Sequence, residues 1–326
     1  MKALVIPAVT DNSINDIQPM NMNKPQMAAD EIVIKVHALG LNPVDFKLVE
    51  HHNSAWNYPH ILGLDAAGEI VDVGSNNPKN FKIGERVFFH SDLSKDGVFA
   101  EYAKSKYNNV ARIPDKVTYE EAAAILCSGL TAYQAIYRKF SLTGKKNILI
   151  HAGAGGVGTI AIQLAKLAGL SVITTVSEHK KDIVKSLGAD FIIDYKNENV
   201  DEQISKITDG AGVDVIINDI GNPEADLPRL AYNGNLICIL NTPDITHYNL
   251  SEHGQGVAAL NLGGVHQSGY VNQLNDLSVM AESLADLIAD NKLDPVITKI
   301  IDFSEIPEGL TELSNHKTIG KIIATL

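Results

Sequence analysis

The sequence predicts an α/β fold in which a doubly wound parallel sheet is set into a β-rich domain. Three observations carry that expectation. From about residue 147 onward, short apolar runs alternate with helical stretches. A Gly-x-Gly-x-x-Gly motif joins the first of those runs to the first of those helices. Before about residue 120 the chain instead reads as short β-type runs broken by Gly, Pro and Asn. At 326 residues there is room for two cores. The expected boundaries are 1–120 for the first β-rich segment, 121–260 for the parallel sheet and 261–326 for the return.

In the first segment the β-type runs are KALVIP, EIVIKVHA, AAGEIVDVG, ERVFF and FAEYAKS, with little helical periodicity between them. In the middle segment, strands are expected at 147–150, 171–176, 191–193, 213–218 and 235–240. They are continuous apolar runs, as strands covered on both faces should be. The helix expected over 156–168 places Val157, Ile160, Ala161, Leu164 and Ala168 on one face. The tail combines a helix at about 276–289 with strands in PVITKIIDF and GKIIATL. No internal repeat, low-complexity tract or long charge run interrupts the pattern.

The net charge of −12 argues against nucleic acid or an anionic membrane as the main partner. Arginine occurs only at 86, 112, 138 and 229, so a tight anion site must draw on lysine and backbone amides. The opening MKALVIP has an apolar run too short for a signal peptide, and no stretch approaches the roughly 20 apolar residues of a membrane span. Two cysteines, Cys127 and Cys238, do not form a disulfide framework. These features together give the expectation of a cytoplasmic protein.

The glycine motif is Gly153-Ala154-Gly155-Gly156-Val157-Gly158, placed between a strand and a helix as a dinucleotide-binding loop requires. Gly153 is expected to allow the tight turn, Gly155 the approach of a pyrophosphate, and Gly158 close packing of helix on strand. The exposed amides and the helix dipole favour the phosphates. An acidic residue selecting NAD is expected about 20 residues on, near Thr174 or Thr175, and neither is acidic. Ser177, His179, Lys180 and Lys181 follow and suit a 2′-phosphate, with Glu178 as a dissenting neighbour. The expected cofactor is therefore NADPH. The plainer alternatives are a structural turn and a solvated helix start.

Several stretches, in order along nearly the whole chain, carry a resemblance. They are GLNPVDFK, HILGLDAAGEIVDVGS, IGERVFF, GVFAEYA, EEAAAILCSGLTAYQAI, the glycine loop, SLGADFIIDY and GKIIATL. Together they resemble the zinc-independent quinone oxidoreductase group of the medium-chain dehydrogenase/reductase superfamily. The resemblance implies a Rossmann domain inserted in a GroES-like catalytic domain and a homodimer or homotetramer. It implies that Asn42 lies beside the nicotinamide, Thr131 near the same end and Tyr195 by the 2′-phosphate. An arginine often found before the C-terminal glycine is replaced by His316-Lys317, leaving Lys317 to stand in.

Zinc-dependent members carry a Cys where Pro43 stands and Gly-His-Glu where Gly63-Leu64-Asp65 stands. Proline and leucine cannot ligate a metal, and a structural zinc lobe needs four cysteines. No metal is therefore expected, and Cys127 reads as a small packed residue. Without zinc the acceptor must take hydride readily, as a quinone or an α,β-unsaturated carbonyl does. A loop over 47–60 is expected above the nicotinamide. It offers Trp56 or Tyr58 to stack on a flat acceptor, and His51 or His52 to donate a proton. Asn42, His52 and Tyr58 are thus the catalytic candidates, each set against an ordinary packing role. Asp45 is expected to hold the turn in NPVDFK. A zinc-free reductase of another carbonyl compound and a non-catalytic NADPH-binding protein remain as alternatives.

Overall fold

The structure is a computed structural model and describes residues 1–8, 13–51 and 53–326, with His51 described by its backbone alone. Two compact units result: Met1–Leu130 with Leu262–Leu326, and Thr131–Asn261.

The first unit opens with β1 (Lys2–Ile6), β2 (Gln18–Asn21), β3 (Glu31–Gly40), α1 (Pro43–His51), β4 (His60–Ile61) and β5 (Asp65–Val73). It continues through β6 (Arg86–His90), β7 (Tyr102–Lys106), β8 (Ala111–Arg112) and α2 (Tyr119–Ala124). Helix α3 (Cys127–Tyr137) carries the chain into the second unit. Strand β3 organises the unit, because it pairs along its length with β5 on one side. On the other side it pairs with β7 and, at its C-terminal end, with the strand that closes the chain. Phe88, Phe89, Phe99, Ile34 and Ile70 are fully buried around it.

Helix α1 was expected to be irregular from residue 47. It forms because Pro43 fits the first helical position, where the missing N–H is no loss, and because Phe46 and Val49 turn one face into the core. The division between units falls after Leu130 where the sequence suggested 120, since α2 packs on β3 and β5.

The second unit contains β9 (Asn147–Ile150), α4 (Gly156–Leu167), β10 (Ser171–Val176), α5 (Lys181–Ser186) and β11 (Phe191–Asp194). It ends with α6 (Val200–Ile207), β12 (Val213–Asn218), β13 (Leu230–Cys238) and β14 (Gly256–Ala259). The strands are parallel in the order β11-β10-β9-β12-β13-β14. The chain leaves β9 toward β10 and later returns to its other side with β12. The C-terminal end of β9 is thus the topological switch point, where such sheets bind ligands. Leu149, Ile173, Ile216 and Leu236 form the core beneath it.

The chain then returns to the first unit through α7 (Val271–Ala289), β15 (Ile297–Asp302), α8 (Ile306–Ser314) and β16 (Lys321–Thr325). Helix α7 begins five residues before the expected start, because its first turn is mostly polar and gives no periodic signal. Among the described residues no helix is long and apolar enough to cross a membrane.

Candidate active site

The glycine loop sits at the switch point. Gly155 is the N-cap of α4 and has no side chain to cap it, so the amides of Gly156 and Val157 in the first turn lack a partner within the helix. The three glycines differ in purpose. A Cβ on Gly153 would lie 2.0 Å from Thr174 Oγ1, and one on Gly158 would lie 2.5 Å from the Ala152 carbonyl oxygen. Those two glycines serve packing inside the protein. At Gly155 a Cβ would meet only the Ala152 oxygen, at 3.2 Å, so little in the fold itself demands a glycine there. In the tight turn expected at Gly153, the residue in the left-handed region is Ala152, with φ of +49°. Ala154 is buried behind the loop.

Thr174 and Thr175, noticed in the sequence only for lacking a carboxylate, pin the loop in place. Thr174 Oγ1 donates to the Ile150 carbonyl at 2.7 Å, and the Thr175 carbonyl accepts from the Gly153 amide at 3.2 Å. Behind them lies a cluster of buried His151, Asp226 and Asn218 with part-buried Arg229, which has no signal in the sequence because its members lie up to 78 residues apart.

The register pairs Val176 at the end of β10 with Asp194 at the end of β11, which sets Ser177 beside Tyr195; the Tyr195 amide donates to the Val176 carbonyl at 3.3 Å. Ser177 is buried, and Tyr195 is exposed. Burial and the nearby Lys196 ammonium lower the Lys180 ammonium below its ordinary range. Lys181 points elsewhere: its Nζ is 2.6 Å from Glu178, whose carboxylate raises it. The structure therefore gathers Ser177, Lys180, Tyr195 and Lys196, and commits Lys181 to a neighbouring acid. Lys196 was missed because nothing in its local sequence marks it.

The first unit holds a second cluster. Asp65, fully buried on β5, accepts from Asn42 Nδ2 at 2.8 Å and from the Cys127 amide at 3.0 Å, and its other oxygen lies 2.8 Å from His90 Nδ1. Lys321, 3% exposed, donates to Asn42 Oδ1 at 2.6 Å and to the Leu41 carbonyl at 2.9 Å, with Nζ 3.8 Å from Asp65. Asn42 spends its remaining amide proton on the Gly40 carbonyl at 3.2 Å, so it presents a fixed oxygen and has no proton to give. The side chain that meets Asp65 from this loop is Asn42, not Pro43. Asp45 holds the turn as expected, accepting from the Asn42 amide at 2.8 Å. Burial and the Asp65 carboxylate together push the Cys127 thiol far up, so the sulfur is no thiolate. Among the described residues no group of three acidic, His or Cys side chains is placed to hold a metal ion.

Trp56, one of two aromatics that could have stacked on an acceptor, takes the packing role set against it: its Nε1 donates to the Leu93 carbonyl at 2.9 Å and its ring stacks on His60 at 4.0 Å. Burial pushes His60 down to about 4, leaving it neutral. Tyr58 is partly buried against the same core. His52 lies outside the described residues, as does the His51 side chain. Thr131 is buried in α3, and Lys317 is exposed between α8 and β16.

Two family models match the chain: the alcohol dehydrogenase GroES-like domain over residues 28–115 and the zinc-binding dehydrogenase model over 156–235. A quinone oxidoreductase of Pseudomonas aeruginosa is 30% identical over 307 residues, covering 90% of each chain. A trans-enoyl reductase of Aspergillus terreus is 36% identical over 222 residues, 64% of this chain and 60% of that one. Among solved structures, Escherichia coli quinone oxidoreductase complexed with NADPH superposes with a TM-score of 0.87 at 25% identity over the whole of both chains. The GroES-like and Rossmann units, the glycine loop at the switch point and these relatives agree: the chain belongs to the quinone oxidoreductase family of medium-chain dehydrogenases/reductases, a family of oxidoreductases.

Proposed function

We propose that the protein reduces a quinone, or a double bond conjugated to a carbonyl, using NADPH and no zinc. The observation that carries the reading is the uncapped first turn of α4, with Gly155, unlike Gly153 and Gly158, not required by packing inside the fold. The first-turn amides and the helix dipole fit a pyrophosphate. Ser177, Lys180, Lys196 and Tyr195, with no acidic residue at Thr174 or Thr175, suit a 2′-phosphate and support NADPH over NADH. The relative solved with NADPH supports the same cofactor. NADPH supplies the hydride when bound; the protein supplies orientation and a dry surface.

The cluster around Asp65 supports the zinc-free reading. Asp65 already has Lys321 at 3.8 Å and a 2.8 Å bond with His90, so a divalent ion would have to displace them. The nearby Cys127 thiol is held protonated, and metal ligation needs the thiolate. Asn42 is read as an orienting residue, its oxygen fixed by Lys321 and its nitrogen by Asp65. With both amide protons spent, it leaves protonation of the reduced acceptor to water.

The test is a panel of quinones, enones and simple aldehydes assayed with NADPH and NADH side by side. Turnover of quinones or enones, faster with NADPH and unchanged by chelators, is expected. Turnover confined to simple carbonyls, or none with any acceptor while NADPH binds, would replace this reading with one of the alternatives.

A further inference from the structure

We infer that His151 is a positioning residue for the dinucleotide: with Thr175 and Asp226 it forms a buried hydrogen-bonded chain that fixes the backbone of the glycine loop at Ala152. The inference rests on the proposed reading that this loop receives the pyrophosphate.

His151, Thr175 and Asp226 are 2%, 3% and 0% exposed. Asp226 Oδ1 lies 2.9 Å from His151 Nε2 and accepts from Arg229 at 2.8 Å, while Oδ2 accepts from Asn218 Nδ2 at 2.7 Å. Arg229 in turn donates to Asp201 at 2.6 Å. Burial alone would raise the Asp226 carboxyl, but the hydrogen bonds from His151, Asn218 and Arg229 outweigh it and hold the group below the usual carboxylate range. An ionised carboxylate only accepts, so Nε2 carries the proton and donates. In the neutral ring Nδ1 is then an acceptor, 3.1 Å from Thr175 Oγ1, whose hydroxyl proton has its place there. The same Oγ1 accepts the Ala152 amide at 3.3 Å. In this one tautomer every proton along the chain has an acceptor.

Ala152 is the residue that needs fixing. Its φ of +49° lies in the left-handed region that disfavours a side chain. Its carbonyl accepts the Gly155 amide at 2.8 Å and lies where a Cβ on Gly158 would strike it at 2.5 Å. Movement at Ala152 therefore moves Gly155 and the first turn of α4 together. The chain from Asp226 through His151 and Thr175 keeps those amides aimed before any anion arrives, an ordering the ligand otherwise has to supply on binding.

The test uses His151→Leu, which fills the site without hydrogen bonding, and Thr175→Val, which removes only the hydroxyl. Affinities for NADPH and NADH are measured by calorimetry, and kinetics on whichever acceptor the parent turns over. Each variant should bind both cofactors roughly tenfold more weakly, the change expected on losing one hydrogen bond. KM for cofactor should rise in step while kcat at saturation stays within about twofold. The two losses should not multiply in the double variant, and Thr175→Ser should bind like the parent. Equal loss of both cofactors separates this role from the 2′-phosphate contacts, which touch NADPH alone. A folded Thr175→Val protein with parental affinity overturns the inference, and this variant decides if His151→Leu does not fold. Gly155→Val is the control on the underlying reading: if it retains parental NADPH affinity, both fall, whereas if it abolishes binding while Thr175→Val does not, only the inference falls.

Discussion

Replacing Asp45 by Asn should remove a pH dependence of stability that this one carboxyl imposes on the fold. Asp45 is 2% exposed; one oxygen accepts the Asn42 amide, and the other has no hydrogen-bond partner among the described residues. Burial first, and the Asp65 carboxylate second, push its pKa up to about 8, against the opposing pull of the Asn42 amide and Lys321. In an unfolded chain the same group titrates near 4. Between those values the folded protein holds a proton that the unfolded chain has lost, so the contribution of Asp45 to stability is greatest below about pH 4 and falls as pH rises toward 8, then levels off. At about 1.4 kcal/mol per pH unit, the interval from pH 5 to 8 amounts to at most ~4 kcal/mol. A cavity of about 10 Å³ beside Asp45, lined in part by Leu48, Trp56 and Leu93, is just large enough for one water, whose entry would reduce the cost. Asn keeps the oxygen that serves the Asn42 amide and cannot ionise. Urea unfolding of parent and Asp45→Asn at pH 5, 6, 7 and 8 should show the variant gaining on the parent by about 2–4 kcal/mol across the series, with little further change at pH 9. Parallel curves for the two proteins would refute the assignment of a buried, largely neutral Asp45.

Gly155→Val should abolish cofactor binding with a thermal midpoint near the parent's, whereas Gly153→Ala should destabilise the fold by about 1–3 kcal/mol, because its Cβ would lie 2.0 Å from Thr174 Oγ1; calorimetric titration and thermal melts on both distinguish the two roles. Lys180→Ala with Lys196→Ala should weaken NADPH about tenfold to hundredfold and leave NADH nearly unchanged, with added salt acting the same way on the parent. Lys181→Ala, whose lysine is engaged with Glu178 at 2.6 Å, should change NADPH affinity less than threefold or so. Elemental analysis of protein purified without chelator should find well under one zinc per chain, and a tightly held zinc lost on Cys127→Ala would contradict the zinc-free mechanism.

The sequence by itself determined the parallel sheet, the glycine loop and the family. The buried strands are continuous apolar runs such as Asn147–Ile150, and the motif sits between one of them and a helix rich in apolar residues. Those signals are local, so they survive without coordinates. Tertiary structure decided which of the named residues act together. Lys181 reads like Lys180 in the sequence, yet Glu178, three residues away on the same short helical turn, claims it, while Lys196 arrives from the end of a neighbouring strand. For Trp56 the sequence leaves stacking on an acceptor and packing both open, and the ring buried on His60 decides for packing. Lys321 meets Asn42 across 279 residues, and His151 meets Asp226 across 75. Such pairs depend on strand order and register, which bring distant side chains to within 3 Å and leave no periodicity in the chain from which the contact could be read.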